Sequence, residues 1–136
     1  MKQNYSIECW ITFNNKVLLL EVDKGEDHLS FLQPVTGGIE AGESSTYACC
    51  REIFEETGLQ VKPDQLELII KNYEVYIPRE ELKIIKDVFL LRLDRKLEIC
   101  LSDEHIGCCW IHFTEVKKRL FWDSNKETYK LIEKYM

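Results

Sequence analysis

"GGIEAGESSTYACCREIFEETGL", residues 37–59, places Glu52, Glu55 and Glu56 within five positions. Residues 44–57 read as a helix. Ser44 or Ser45 is suited to cap its start, and Gly58 to take the left-handed position at its end. On a helical wheel the three glutamates share an arc of about 100°. Tyr47, Cys50, Ile53 and Phe54 fall on the far side, with Cys49 at the edge. The pattern therefore predicts an apolar face for the core and an acidic face opposite. Arg51 is the helix's lone cation. Like charges three and four residues apart repel, and glutamates in a last turn face the negative end of the helix dipole. Such an arrangement is poor as a solvated surface. It suits hard divalent cations, which take oxygen ligands. Gly37, Gly38 and Gly42 ahead of the helix permit a tight loop that brings backbone close to a ligand. Together these features point to Mg²⁺ carrying a phosphorylated substrate, the ion being shared between carboxylates and phosphate oxygens.

Outward from this segment, the chain reads as one domain over residues 1–136. "YSIECWITF", "NN" and "KVLLLEV" form a hairpin signal. Residues 23–30 read as a polar loop, and "FLQPV" as one short strand entering the glycine turn. Residues 66–77 and 82–93 are rich in β-branched and aromatic side chains and flank "PREE", which predicts two long antiparallel strands. "GCCWIHF" predicts another strand, and the tail after it one or two helices. This order lacks regular β-α alternation. It predicts an α+β fold, an α/β/α sandwich around a mixed sheet.

Composition excludes several classes. The formal charge, 18 − 24 = −6, argues against nucleic-acid and anionic-membrane partners, both of which select basic surfaces. The cysteines at 9, 49, 50, 100, 108 and 109 show no CxxC spacing and read as free, mostly buried thiols in a reducing cytosol. His105, Cys108, Cys109 and His112 fit no structural zinc spacing. The N-terminus lacks the apolar stretch of a signal peptide, and no apolar run reaches membrane-spanning length. A cytoplasmic protein is the expectation. Oligomeric state is not legible.

The opening segment resembles the Nudix box, G-x5-E-x7-R-E-U-x-E-E-x-G-U, where U is a bulky aliphatic residue. Gly37, Glu43, Arg51, Glu52, Ile53, Glu55, Glu56, Gly58 and Leu59 fill every defined position. The resemblance implies the Nudix fold, a mixed sheet between helices, and Mg²⁺- or Mn²⁺-dependent hydrolysis of a nucleoside diphosphate linked to a further group. It implies metal ligation by Glu55 and Glu56, and by Glu52 either as ligand or as general base. Arg51 and Glu43 would orient these glutamates, and Gly37, Gly38 and Gly58 would support the site. Thr36 stands where many members have a glycine that offers its carbonyl to metal. "QPVTG", with Gln33, and the tail "DEHIGCCWI … LFWDSNKETYKLIEKY" are similar to the branch that includes dihydroneopterin triphosphate pyrophosphatase and dATP pyrophosphohydrolase-like members. That likeness adds Glu104 as a fourth carboxylate, for metal or base duty, and puts Trp122 and Asn125 near substrate. Tyr76 and Phe89, on the long strands, are candidates to stack on a planar ring. The implied reaction cleaves a nucleoside or pterin triphosphate to a monophosphate and pyrophosphate. Dinucleoside polyphosphate hydrolysis and a non-catalytic nucleotide-sensing domain are the alternatives.

Overall fold

The computed structural model describes residues 1–23 and 29–136. Strands β1 (Lys2–Phe13) and β2 (Lys16–Asp23) form the expected hairpin. Phe13 lies opposite Lys16, and Asn14 takes the turn at φ 54°. Asparagine tolerates that left-handed backbone because its short polar side chain bonds locally. Pairing between β1 and β2 spans Ile11–Leu18 to Phe13–Lys16. From there each strand takes a new partner on that edge. β3 (Ser30–Gln33) pairs with β2, and β4 (Val35–Gly38) pairs with β1. The single strand expected at "FLQPV" is thus two strands, divided at Pro34. Proline has no N–H to give a ladder, so it marks the point where the chain crosses from one strand's edge to the other's. Of the polar loop expected at 23–30, residues 24–28 lie outside the described residues.

β5 (Leu66–Ile77) and β6 (Leu82–Leu93) form the second hairpin, closed by the 3-10 turn Pro78–Glu80. β6 then runs parallel to β1 along its whole length, from Lys2 opposite Leu82 to Phe13 opposite Leu93. β7 (Gly107–His112) pairs with β2. The sheet has seven strands in the order β3-β2-β1-β6-β5, with β4 also on β1 and β7 also on β2.

Strand alternation sends side chains to two separate cores. Ile7, Cys9 and Ile11 of β1 pack with Ala48, Cys49 and Ile53 of helix α1 (Ser45–Thr57). Trp10 points the other way. It packs with Val116 of α2 (Val116–Arg119) and with Tyr129 and Ile132 of α3 (Asp123–Ile132). This is the expected α/β/α sandwich about a mixed sheet. The thiols divide differently from expectation. Cys9 and Cys49 are buried, but Cys100 and Cys108 are exposed, because they lie on a loop and an outer strand rather than on the core faces. Among the described residues no helix is long and apolar enough to cross a membrane.

Candidate active site

Helix α1 begins where Ser44 Oγ accepts the Tyr47 backbone N–H at 3.1 Å. It ends at Gly58, φ 77°, whose N–H donates to Phe54 O at 2.9 Å. The end points match the sequence expectation, but the buried face does not. Tyr47 is 62% exposed and Phe54 52% exposed. The inward face carries Ala48, Cys49, Ile53, Thr57 and Glu56. The helix is rotated so that part of its acidic arc meets the sheet. Small side chains at 48 and 49 let it sit close to β1 and β4, and the carboxylates come against the Thr36–Gly38 strand.

Gly37 shows how close that approach is. A Cβ placed there would lie 2.1 Å from Glu52 Cδ, so only glycine leaves room for the Glu52 carboxylate. Arg51 gathers the surrounding groups. It donates to Glu43 through Nε at 2.6 Å and Nη2 at 3.0 Å, a two-pronged contact. Its Nη1 donates to Glu52 at 2.9 Å and to Glu55 at 3.3 Å, and its Nη2 to Gly38 O at 2.9 Å. Glu43 also accepts the Glu40 backbone N–H at 2.8 Å. The Arg51 contact, followed by that backbone bond, holds the Glu43 carboxyl below its ordinary range. The same hydrogen bonds, Glu43 first, raise the Arg51 guanidinium further.

Glu56 is the anomalous group. It is 4% exposed, and its Oε1 has no hydrogen-bond partner. Burial, then the hydrogen bond and charge of Glu52, then the charge of Glu104, push its carboxyl up to about 9. Its nearest cationic candidate is His105, with Nε2 at 3.6 Å from Glu56 Oε1. Burial holds that imidazole below its usual range, and Ser102 Oγ lies 3.1 Å from its Nδ1. His105 therefore offers little positive charge near neutral pH. Two carboxyls in contact, a third close enough to act on them and an orphaned buried oxygen form a site short of positive charge. That donor set, all hard oxygens, suits a divalent cation. Among the described residues no three such side chains converge as a ready-made cage. Arg51 Nη1 sits against both Glu52 and Glu55. Thr36 donates its hydroxyl proton to Ile7 O at 3.0 Å, which ties the side chain to β1.

A cavity of about 900 Å³ opens on the other side of the Thr36–Gly38 strand from Glu52. Thr36, Gly38 and Ile39 border one part, Gln33 contributes to its wall, and Trp122 and Asn125 border another. Gln33, Trp122 and Asn125 thus line one cavity. Trp122 is half-exposed, edge-on to Phe31 at 5.5 Å and Phe121 at 4.8 Å. Phe89 and Tyr76 are corrections. Phe89 is fully buried in the core under α1, because its strand position points away from the cavity. Tyr76 is exposed and outside the cavity, while its neighbours Val75 and Ile77, pointing to the opposite face, line it.

Sequence reasoning missed the cavity's polar floor. Glu8 is fully buried. It accepts from Lys86 Nζ at 2.5 Å and Asn125 Nδ2 at 2.7 Å on Oε1. Trp10 Nε1 at 2.9 Å and Thr128 Oγ1 at 2.5 Å donate to its Oε2. The available signal was charge inside each of two apolar runs, Glu8 in "SIECWITF" and the Lys86–Asp87 pair in "IIKDVFLL". An ion inside a buried strand needs a partner.

The NUDIX domain model matches residues 3–132. Dihydroneopterin triphosphate diphosphatase of Haemophilus influenzae is 27% identical over 145 aligned positions, covering 98% of this chain and 87% of that protein. Phosphatase NudJ of Escherichia coli K12 is 26% identical over 116 positions, covering 85% and 72%. Among solved structures, the E. coli dihydroneopterin triphosphate pyrophosphohydrolase superposes with a TM-score of 0.77 at 26% identity, covering 98% of this chain and 99% of that one. The E. coli ORF135 protein superposes at 0.81 with 18% identity, over 98% and 91%, and supports the fold alone.

Proposed function

This chain belongs to the Nudix family and is a Nudix pyrophosphohydrolase, and we propose that it cleaves a nucleoside or pterin triphosphate to the monophosphate and pyrophosphate with Mg²⁺, Mn²⁺ being a substitute. The observation that carries this reading is the buried Glu56 with its unpartnered oxygen, on the helix whose Glu52 packs against Gly37, across one strand from a cavity large enough for a ring and its phosphates. The relative named for dihydroneopterin triphosphate covers nearly the whole chain, which favours a triphosphate on a bicyclic ring.

Glu52, Glu55 and Glu56, with Glu104 and the Thr36 carbonyl, would hold the ion, which neutralises phosphate oxygens and polarises the attacking water. Arg51 keeps Glu52 and Glu55 in place and ties them through Gly38 O to the strand beneath. Glu43 in turn fixes the Arg51 fork. Glu52 or Glu104 takes the proton from water as its oxygen bonds to phosphorus. The bridging P–O bond breaks, and pyrophosphate leaves with the electron pair. Preorganised charge at the phosphoryl oxygens supplies most of the acceleration. Residues 1–136 act as one Nudix domain, in a cytoplasmic setting.

The test is a panel of nucleoside triphosphates, dihydroneopterin triphosphate and dinucleoside polyphosphates, with Mg²⁺ or with chelator. Water carrying heavy oxygen marks the attacked phosphorus. Release of pyrophosphate from a triphosphate, abolished by chelator, is expected. Cleavage confined to dinucleoside polyphosphates would transfer the site to that class. Tight nucleotide binding without turnover would make the domain a sensor.

A further inference from the structure

We propose that Lys86 and Asn125, held side by side by Glu8, form a subsite that selects rings with a lactam edge, a ring N–H beside an exocyclic carbonyl, over rings with an amine there. This deepens the reading above and rests on its assignment of the cavity to the substrate.

The network fixes its own polarity. An ionised carboxylate only accepts hydrogen bonds. Glu8 takes two bonds on each oxygen, so its capacity is used within the protein and it serves to position the others. Because Asn125 gives its NH₂ to Glu8, its Oδ1 is the free end. That oxygen is buried without a partner on a residue that is 6% exposed and borders the cavity. An unpaired buried acceptor is costly, and a ligand N–H relieves it. Lys86 also borders the cavity and is 5% exposed. Its ammonium carries three N–H groups, and among the described residues Glu8 Oε1 is the oxygen bonded to it at hydrogen-bond distance. The Tyr73 ring lies 5.8 Å from Nζ.

Asn125 Nδ2 and Lys86 Nζ share one oxygen of Glu8, so the floor presents an acceptor and a cationic donor next to each other. A lactam edge is complementary. Its ring N–H serves Oδ1, and its carbonyl, with two lone pairs, serves the ammonium better than a single ring nitrogen does. The half-exposed Trp122 supplies an aromatic face at the same end. Hypoxanthine, guanine and pterin rings present this edge; adenine offers the ammonium only a ring nitrogen, the weaker acceptor.

Calorimetric titration in chelator, without turnover, tests the floor separately from the chemistry. Inosine and adenosine monophosphates differ at the edge in question. Inosine, guanosine and neopterin monophosphates are expected to bind at least about tenfold more tightly than adenosine monophosphate, the scale of one charge-assisted hydrogen bond. In Asn125→Ala and Lys86→Met, checked for native circular dichroism, that ratio should fall toward one. Equal affinities, a preference for adenosine monophosphate, or no binding by any of the four to the wild-type protein would overturn the proposal even if triphosphates are hydrolysed. Ring selectivity in a protein that cleaves no phosphoanhydride would leave the floor standing and remove the assigned reaction. The wild-type comparison decides the matter should either variant fail to fold.

Discussion

Replacing Glu56 with glutamine separates the two demands placed on that side chain. Its folded-state carboxyl titrates near 9, against about 4.5 for the free group. A raised acid stabilises the fold fully below the unfolded value, and that contribution is lost as pH climbs toward the folded value. Each pH unit inside the window is worth about 1.4 kcal/mol. Without metal, the wild-type protein at pH 7 therefore carries a penalty of roughly 3 kcal/mol from this one group. Glutamine keeps the shape and never ionises. Urea unfolding in chelator should show the variant gaining on the wild type by roughly 2–3 kcal/mol between pH 5 and pH 7. The gap should keep widening to about pH 9. Turnover should fall at least ~10²-fold, the scale of removing one electrostatic stabiliser. A pH-independent stability gap would refute the account of Glu56 as a charge-starved carboxyl. Near-normal turnover in a folded variant would refute its place in the catalytic cluster.

Gly37→Ala brings a methyl against the Glu52 carboxyl, so turnover should drop ~10²-fold while circular dichroism stays native. Arg51→Lys keeps the charge but loses the fork to Glu43 and the reach to Gly38 O. At least a tenfold loss in kcat/KM is expected from steady-state kinetics, with little change in apparent size. Gly58→Ala must hold φ 77° and meet Cys100 Cβ at 3.0 Å, which should cost about 1 kcal/mol or more in urea unfolding. Mg²⁺ together with substrate should raise the melting temperature of the wild type but not of Glu56→Gln.

Much of the molecule was legible from residue types. The caps of α1 at Ser44 and Gly58 were readable because capping is local chemistry, decided within one turn of chain. Both hairpins were readable because their turns join neighbouring segments. The carboxylate cluster was readable because repelling charges on one helix face ask for a cation. Other features rest on contacts between distant segments. The parallel pairing of β6 with β1 joins residues about 80 positions apart, and no local pattern specifies it. The split at Pro34 was visible as a proline, but not that each half finds a different strand.

The helix face is the clearest division. Wheel geometry correctly grouped Glu52, Glu55 and Glu56, since 3.6-residue periodicity belongs to the chain itself. The assumption that aromatic residues define the inward side failed at Tyr47 and Phe54. Hydrophobicity alone sets the orientation only where nothing else competes for the contact. Here the Thr36–Gly38 strand receives the acidic arc, and small Ala48 and Cys49 fill the seam. By itself the sequence determined which carboxylates share one arc of α1. Tertiary structure decided that Glu56 is buried, and that Glu8, Lys86 and Asn125 meet beneath the cavity, because burial and long-range pairing are properties of the packed sheet rather than of any segment in it.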